Sequence, residues 1–235
     1  MSGSTIAILV LGLLAAYLLG SIPTGFVLAK VLKGIDIREH GSGNTGATNV
    51  FRVLGKGPGI TALVIDLLKG VVAVLLMQWL VRLAFAWGAS DVLEGGLIYG
   101  NSPDAQGYVS LFAWASMLSA LLAVIGHSKS VWLGFTGGKS AATGLGVLLA
   151  LSWPVGLGVA AVFSVALALS RTVSVGSISA AFSAGLLMLA MKQPLAYVLL
   201  AIAGGLYVIV RHQANISRLM AGTEPKTFDK KTADS

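Results

Sequence analysis

Cysteine is absent from this 235-residue chain, which excludes a disulfide framework, a thiolate metal site and a cysteine nucleophile. Charge is scarce as well: 11% of residues are Asp, Glu, Lys or Arg, against roughly a quarter in an ordinary soluble domain. With 56% hydrophobic residues and a mean hydropathy of +0.86, a soluble fold and a lone surface-lying amphipathic helix are both excluded. Metal-ligand patterns are missing too. His40, His127 and His212 are scattered, and there is neither a His-Glu-x-x-His motif nor a cluster of carboxylates. A Gly-x-Ser-x-Gly elbow is lacking, so no nucleophile announces itself. No metal and no cofactor are expected.

What is present is apolar sequence in runs of membrane length, at 5–28, 58–87, 109–126, 144–170, 173–191 and 195–210. A span needs about 20 residues. The first run lacks a basic leader and a cleavage site, and reads as a retained span. If it enters from outside, the loop 29–57 is cytoplasmic and carries Lys30, Lys33, Arg38, Arg52 and Lys56. The loop holding Asp91, Glu94 and Asp104 is then external. Of the 16 Lys and Arg residues only Arg82 and Lys192 are external, the asymmetry expected of a multi-pass protein whose basic residues collect in cytoplasmic loops. That placement explains the net charge of +7 without nucleic acid. The run 144–170 contains Ser152-Trp153-Pro154, where proline breaks the helical ladder. Two half-length helices dipping in and out would return Arg171 to the cytoplasm.

The expected fold is therefore all-α: a polytopic integral membrane helix bundle of about seven helices, two of them half-length or re-entrant. Residues 1–221 form one transmembrane domain, and 222–235 a short polar cytoplasmic tail. Most of the 30 glycines, among them Gly156, Gly158, Gly204 and Gly205, are expected at close helix contacts.

Three polar stretches interrupt the apolar sequence, all on the cytoplasmic side. In the first, Gly41, Gly43 and Gly46 permit turns that aim N–H groups into one concavity. Ser42, Thr45 and Thr48 add hydroxyls, Asn44 and Asn49 amides, and Arg52 a bidentate cation. The second is Gly137-Gly138-Lys139-Ser140 at a helix start, a good anion site. It is not a nucleotide-hydrolysing loop, because Leu133 stands where that pattern needs glycine. The third runs from Arg211-His212 to Asn215 and Arg218, with His212 and Asn215 on one helix face. Arg171 with Ser174, Ser177 and Ser179 forms a weaker fourth set. Together they suit a phosphorylated substrate at one face of the bilayer. Asp66 and Lys69, three apart inside the second run, are expected to form an internal ion pair of structural purpose.

Several segments also carry a family likeness. Gly20-Ser21-Ile22-Pro23-Thr24-Gly25, HGSGNTGATNVFRVLGK from His40 to Lys56, Asp66-Leu67-Leu68-Lys69-Gly70, Gly126-His127, FTGGKSAAT to Thr143 and RHQANISRLMAGTE to Glu224 occur in this order. They resemble the bacterial acyl-phosphate:glycerol-3-phosphate acyltransferases, the PlsY family. The likeness spans nearly the whole chain; the departures are a longer loop at 88–108 and Ser130, Thr136 and Ser140 in place of proline, lysine and glycine. The His-and-Asp signature of the other large glycerolipid acyltransferase class is missing, since Trp132 and Ser217 stand five residues after His127 and His212.

The resemblance implies a single transmembrane acyltransferase domain of the bacterial inner membrane, active on its cytoplasmic face. It implies acyl transfer from acyl-phosphate to glycerol-3-phosphate, giving lysophosphatidic acid, with membrane lipid and an acyl-phosphate-producing enzyme as further partners. Arg52, Lys139, His212 and Asn215 would act on the reacting groups. Ser42, Gly43, Asn44, Thr48, Asn49, Gly137, Gly138 and Ser177 would bind substrate and phosphate. The proton acceptor is either His212 or a substrate phosphate.

Overall fold

The computed structural model describes residues 3–88 and 103–226. Asp91 and Glu94 of the expected external loop and residues 227–235 of the expected tail lie outside the described residues. Among the described residues ten α-helices occur in order. They are α1 (Gly3–Ser21), α2 (Thr24–Lys33), α3 (Ala47–Leu54), α4 (Lys56–Gly88), α5 (Pro103–Ser128), α6 (Ala141–Leu151), α7 (Trp153–Ser170), α8 (Val173–Ala190), α9 (Leu195–Arg211) and α10 (Gln213–Met220). Among the described residues α1, α4, α5, α7 and α8 are each long and apolar enough to cross a membrane, and α9 joins them if taken with α10. With the shorter α6, that makes seven membrane segments.

Contacts fix their directions. Gly12 packs on Met77, whereas Thr24 reaches Asp66, so α1 and α4 run oppositely. Val74 lies with Ala120 and Val124, and Arg82 stacks over Phe112, so α5 returns antiparallel to α4 and parallel to α1. At the α1–α5 crossing, a Cβ on Gly20 would fall 2.2 Å from the Ala123 carbonyl oxygen and one on Gly126 2.4 Å from that of Tyr17. Without a hydrophobic force between helices in lipid, such backbone approach supplies the packing. Helix α6 runs with α4, Thr143 meeting Asp66 and Val147 packing with Val74. Helices α7, α8 and α9 then alternate, with Gly158 against Leu187, Gly176 against Phe163 and Gly205 against Ala181. Gly204 differs from its neighbour: its surroundings are open, so close packing does not account for it.

One end of the bundle therefore collects Ser21, Lys56, Ser128, Ser140, Arg171 and Arg211. The return of Arg171 to the end where α6 begins is as the sequence suggests, but the lengths differ. Only α6 is short, at 11 residues or ~16 Å; α7 has 18 residues and a full span's length. Pro154 lies in the first turn of α7, where its missing donor is harmless. The run 5–28 is likewise not one helix. Pro23 disfavours helical geometry at Ile22, and α2 sets off separately until Gly34 closes it at φ 70°. The loop 29–57 contains α3, so Thr48, Asn49 and Arg52 are helical.

Candidate active site

The first polar stretch is built around Asn49, whose side chain is almost wholly buried. Its Oδ1 accepts from the Ser42 N–H at 2.8 Å, and its Nδ2 donates to the carbonyls of His40 (3.0 Å), Asn44 (2.9 Å) and Ile37 (3.3 Å). Asn44 is similarly occupied, accepting from the Gly46 N–H at 2.9 Å. Both amides shape the loop. Gly41 is required there, since at φ 60° a Cβ would lie 2.3 Å from Asn49 Oδ1. Ser42 and Gly43 are left exposed at the tip. Thr48 and Arg52 follow one turn apart on α3 and share a face.

The second stretch is folded back on α5. The Gly138 N–H donates to the His127 carbonyl at 3.1 Å, so it is spent internally and not offered to a ligand. A Cβ at Gly137 would lie 2.3 Å from that carbonyl oxygen, and one at Gly138 2.0 Å from His127 Nε2. Arg211, at the end of α9, donates to the Gly137 and Gly138 carbonyls at 3.3 and 3.2 Å. These contacts make Arg211 more than a charged helix flank. They leave Lys139 projecting, with the N-terminal turn of α6 directly behind it.

Lys139 Nζ donates to Asn215 Oδ1. Asn215 Nδ2 donates to Glu224 Oε1 at 2.6 Å, and Ser174 Oγ donates to the same oxygen at 2.9 Å. Arg218 Nε donates to Glu224 Oε2 at 2.6 Å. The Glu224 side chain is 4% exposed, and a carboxylate so buried needs these donors. The segment read as a tail thus begins inside the packed structure. Composition around Gly222 gives no hint of it; the signal in the chain is the RHQANISRLMAGTE likeness, which runs to Glu224.

Electrostatically the cluster is unbalanced. Arg52 senses Glu224 and Arg218, and Lys139 senses Glu224, Arg218, Arg52 and Arg211. Four cations share one carboxylate. Burial first, then the neighbouring arginines, depress the Lys139 pKa to about 8, with Glu224 opposing. Loss of surrounding water also lowers the pKa of Arg52, but its exposed guanidinium stays charged at any ordinary pH.

His212 sits in the 58° bend between α9 and α10. Its Nδ1 donates to the Val208 carbonyl at 2.7 Å, which leaves Nε2 as the acceptor of the neutral ring. Asn215, one turn on, has both ends of its amide engaged. Ser177 is buried one turn beyond Ser174 on α8. Arg171, by contrast, is exposed and caps α7 in the left-handed conformation. Deeper in the bundle, Lys69 Nζ lies 2.9 Å from Asp66 Oδ1, with both side chains under 5% exposed, the internal pair the spacing suggests. Among the described residues no three His, Asp or Glu side chains are grouped to hold a metal ion.

The sequence model described as Glycerol-3-phosphate acyltransferase matches residues 10–222. The chain belongs to the glycerol-3-phosphate acyltransferase family, of the PlsY type. A relative of that name from Acaryochloris marina is 51% identical over 229 residues, covering 95% of this chain and 94% of its own. Two crystal structures of PlsY (YgiH), an integral membrane glycerol 3-phosphate acyltransferase, are each 36% identical. The glycerol 3-phosphate form superposes with a TM-score of 0.75 over 95% of this chain and 96% of its own. The lysophosphatidic acid form gives 0.73 over 95% of both. The family match and the multi-pass helix bundle establish an integral membrane acyltransferase. The matched region stops two residues short of Glu224.

Proposed function

We propose that this protein transfers an acyl group from acyl-phosphate to the primary hydroxyl of glycerol-3-phosphate, releasing lysophosphatidic acid and inorganic phosphate. The observation that carries the reading is the excess of four cations over one buried carboxylate at the end of an apolar bundle. Such a cluster recruits a multiply charged anion, and both substrates supply one. Its one carboxylate, Glu224, is occupied by Ser174, Asn215 and Arg218, and the rest are cations, amides, hydroxyls and the His212 ring, so the activation resides in the mixed anhydride of the donor.

Lys139 and Arg52 hold phosphate oxygens by charge-assisted bonds, with Ser42, Thr48 and Ser177 contributing hydroxyls. Asn215 and Glu224 keep Lys139 in place. The glycerol hydroxyl oxygen attacks the acyl carbonyl carbon, the bond from that carbon to the phosphate oxygen breaks, and the proton ends on the departing phosphate. His212 Nε2 orients the hydroxyl. Catalysis then rests on proximity and on preorganised charge. The basic end of the bundle faces the cytoplasm of a bacterial inner membrane. There the acyl tail stays in lipid, and an acyl-phosphate-producing enzyme supplies the donor.

The test is an assay of purified protein in detergent, following phosphate release and lysophosphatidic acid together. Acyl-phosphate should support both in the presence of glycerol-3-phosphate, without nucleotide and with EDTA present. Activity with an acyl thioester but none with acyl-phosphate would overturn the donor assignment.

A further inference from the structure

We propose that His127 is a positioning residue for the Gly137-Gly138-Lys139 turn, held in register by Thr143 and, through it, by α4 at Asp66. Three separate contacts place it there. Its carbonyl accepts the Gly138 N–H at 3.1 Å. Its ring lies against Gly138, where a Cβ would come within 2.0 Å of Nε2 and where the three nearest atoms all belong to that ring. Its Nδ1 is 3.1 Å from Thr143 Oγ1.

The proton order along this chain is fixed. Thr143 donates its hydroxyl hydrogen to the Asp66 carbonyl at 2.9 Å, so its oxygen accepts from His127 Nδ1–H, and Nε2 faces the glycine. Behind it, Asp66 Oδ1 accepts from Thr24 at 2.9 Å and pairs with Lys69, which also donates to the Ile22 carbonyl at 3.0 Å. A cavity of about 10 Å³ is lined by Thr24, Asp66, Lys69, His127 and Gly137 together. The network thus ties four helices to the backbone that projects Lys139. His127 and Thr143 themselves are buried, so their effect on substrate is exerted through the turn. A misplacement of ~1 Å in such a site costs on the order of 100-fold in rate.

The inference rests on the phosphate site proposed above, and the experiment separates the two. Gly138→Ala has no adverse φ to contend with, so the ring is its obstacle. It should lower kcat/KM by on the order of 100-fold. Adding His127→Ala makes room for the new methyl, and the double variant should recover ~10-fold or more over Gly138→Ala, a coupling readable only between neighbours. Thr143→Val should raise KM for one phosphorylated substrate, while Thr143→Ser keeps the hydroxyl and stays near wild type. Thermal stability in detergent is measured alongside, with and without glycerol-3-phosphate.

Losses that multiply in the double variant would overturn the proposal, as would Thr143→Val losing only folded protein with both KM values unchanged. If the wild type rejects acyl-phosphate, the donor reading fails. Stabilisation by glycerol-3-phosphate still reads the turn in that case, and its equal size in wild type and Thr143→Val would overturn the positioning role.

Discussion

Asp66 and Glu224 are both buried carboxylates joined to helices far away in sequence, yet they sit in opposite electrostatic situations. Asp66 has one lysine at 2.9 Å and a threonine hydroxyl; its charge is matched. Glu224 has Arg218 bonded to it and Lys139, Arg52 and Arg211 arranged about the same cluster. A matched pair inside a bundle is complete as it stands. An unmatched cluster at its end is complete only with a further anion. The difference between structure and site lies in that surplus, not in burial.

The comparison breaks most severely at Asp66. Asp66→Ala leaves Lys69 buried and unpaired, which costs ~3–5 kcal/mol. It should appear as a large fall in melting temperature and in recovered protein, and adding substrate should not reverse it.

At the other carboxylate's cluster the effect should fall on activity with the fold retained. On the phosphate site proposed above, Lys139→Ala and Arg52→Ala should each lose a charge-assisted contact worth ~2–4 kcal/mol, or roughly 30- to 1,000-fold in kcat/KM. Arg52→Lys should stay strongly impaired, because an ammonium keeps the charge and loses the bidentate fork. Near wild-type activity in Arg52→Lys at matched expression would remove Arg52 from the phosphate site.

A pH profile sharpens the contrast further. Lys139 has its pKa depressed to about 8, so it is charged below that pH and loses its charge as pH rises through it, well before an ordinary lysine. Affinity for phosphorylated substrate should hold below about pH 8 and decline above. Lys139→Arg should move that decline upward or abolish it. An unchanged break in that variant would assign it to another group.

The smallest effect is expected at Lys129, which is exposed and only follows α5. Lys129→Ala should cost less than about tenfold in activity. Equal losses at Lys129 and Lys139 would dissolve the distinction between an anchoring charge and a working one.

Much of this architecture is legible in the chain. Proline at 154 announces the α6–α7 break, and three polar stretches that lie far apart in the chain converge at one end. Hydropathy cannot see direction changes that a single proline makes within an apolar run, so by hydropathy Pro23 reads as interior to a span. It also cannot distinguish an amide that binds substrate from one that holds a loop. Asn49 looks like a ligand group in sequence and is enclosed by carbonyls from Ile37, His40 and Asn44. Glu224 closes the RHQANISRLMAGTE likeness, but its role is hidden for another reason: its burial comes from Ser174, Asn215 and Arg218, and composition alone does not encode those partners.

The order in which the ribosome delivers the Glu224 cluster has its own consequence. Arg52 emerges first, then Lys139, Ser174 and Asn215, then Arg218, and the carboxylate last. At ~5–20 residues per second, the nascent chain carries unopposed cations at the membrane surface for seconds, with only anionic headgroups and salt to screen them. Closure of the cluster therefore waits until α1 to α10 have all been synthesised. An intermediate stalled before Glu224 would be a fully threaded membrane protein that cannot yet hold Lys139 in place.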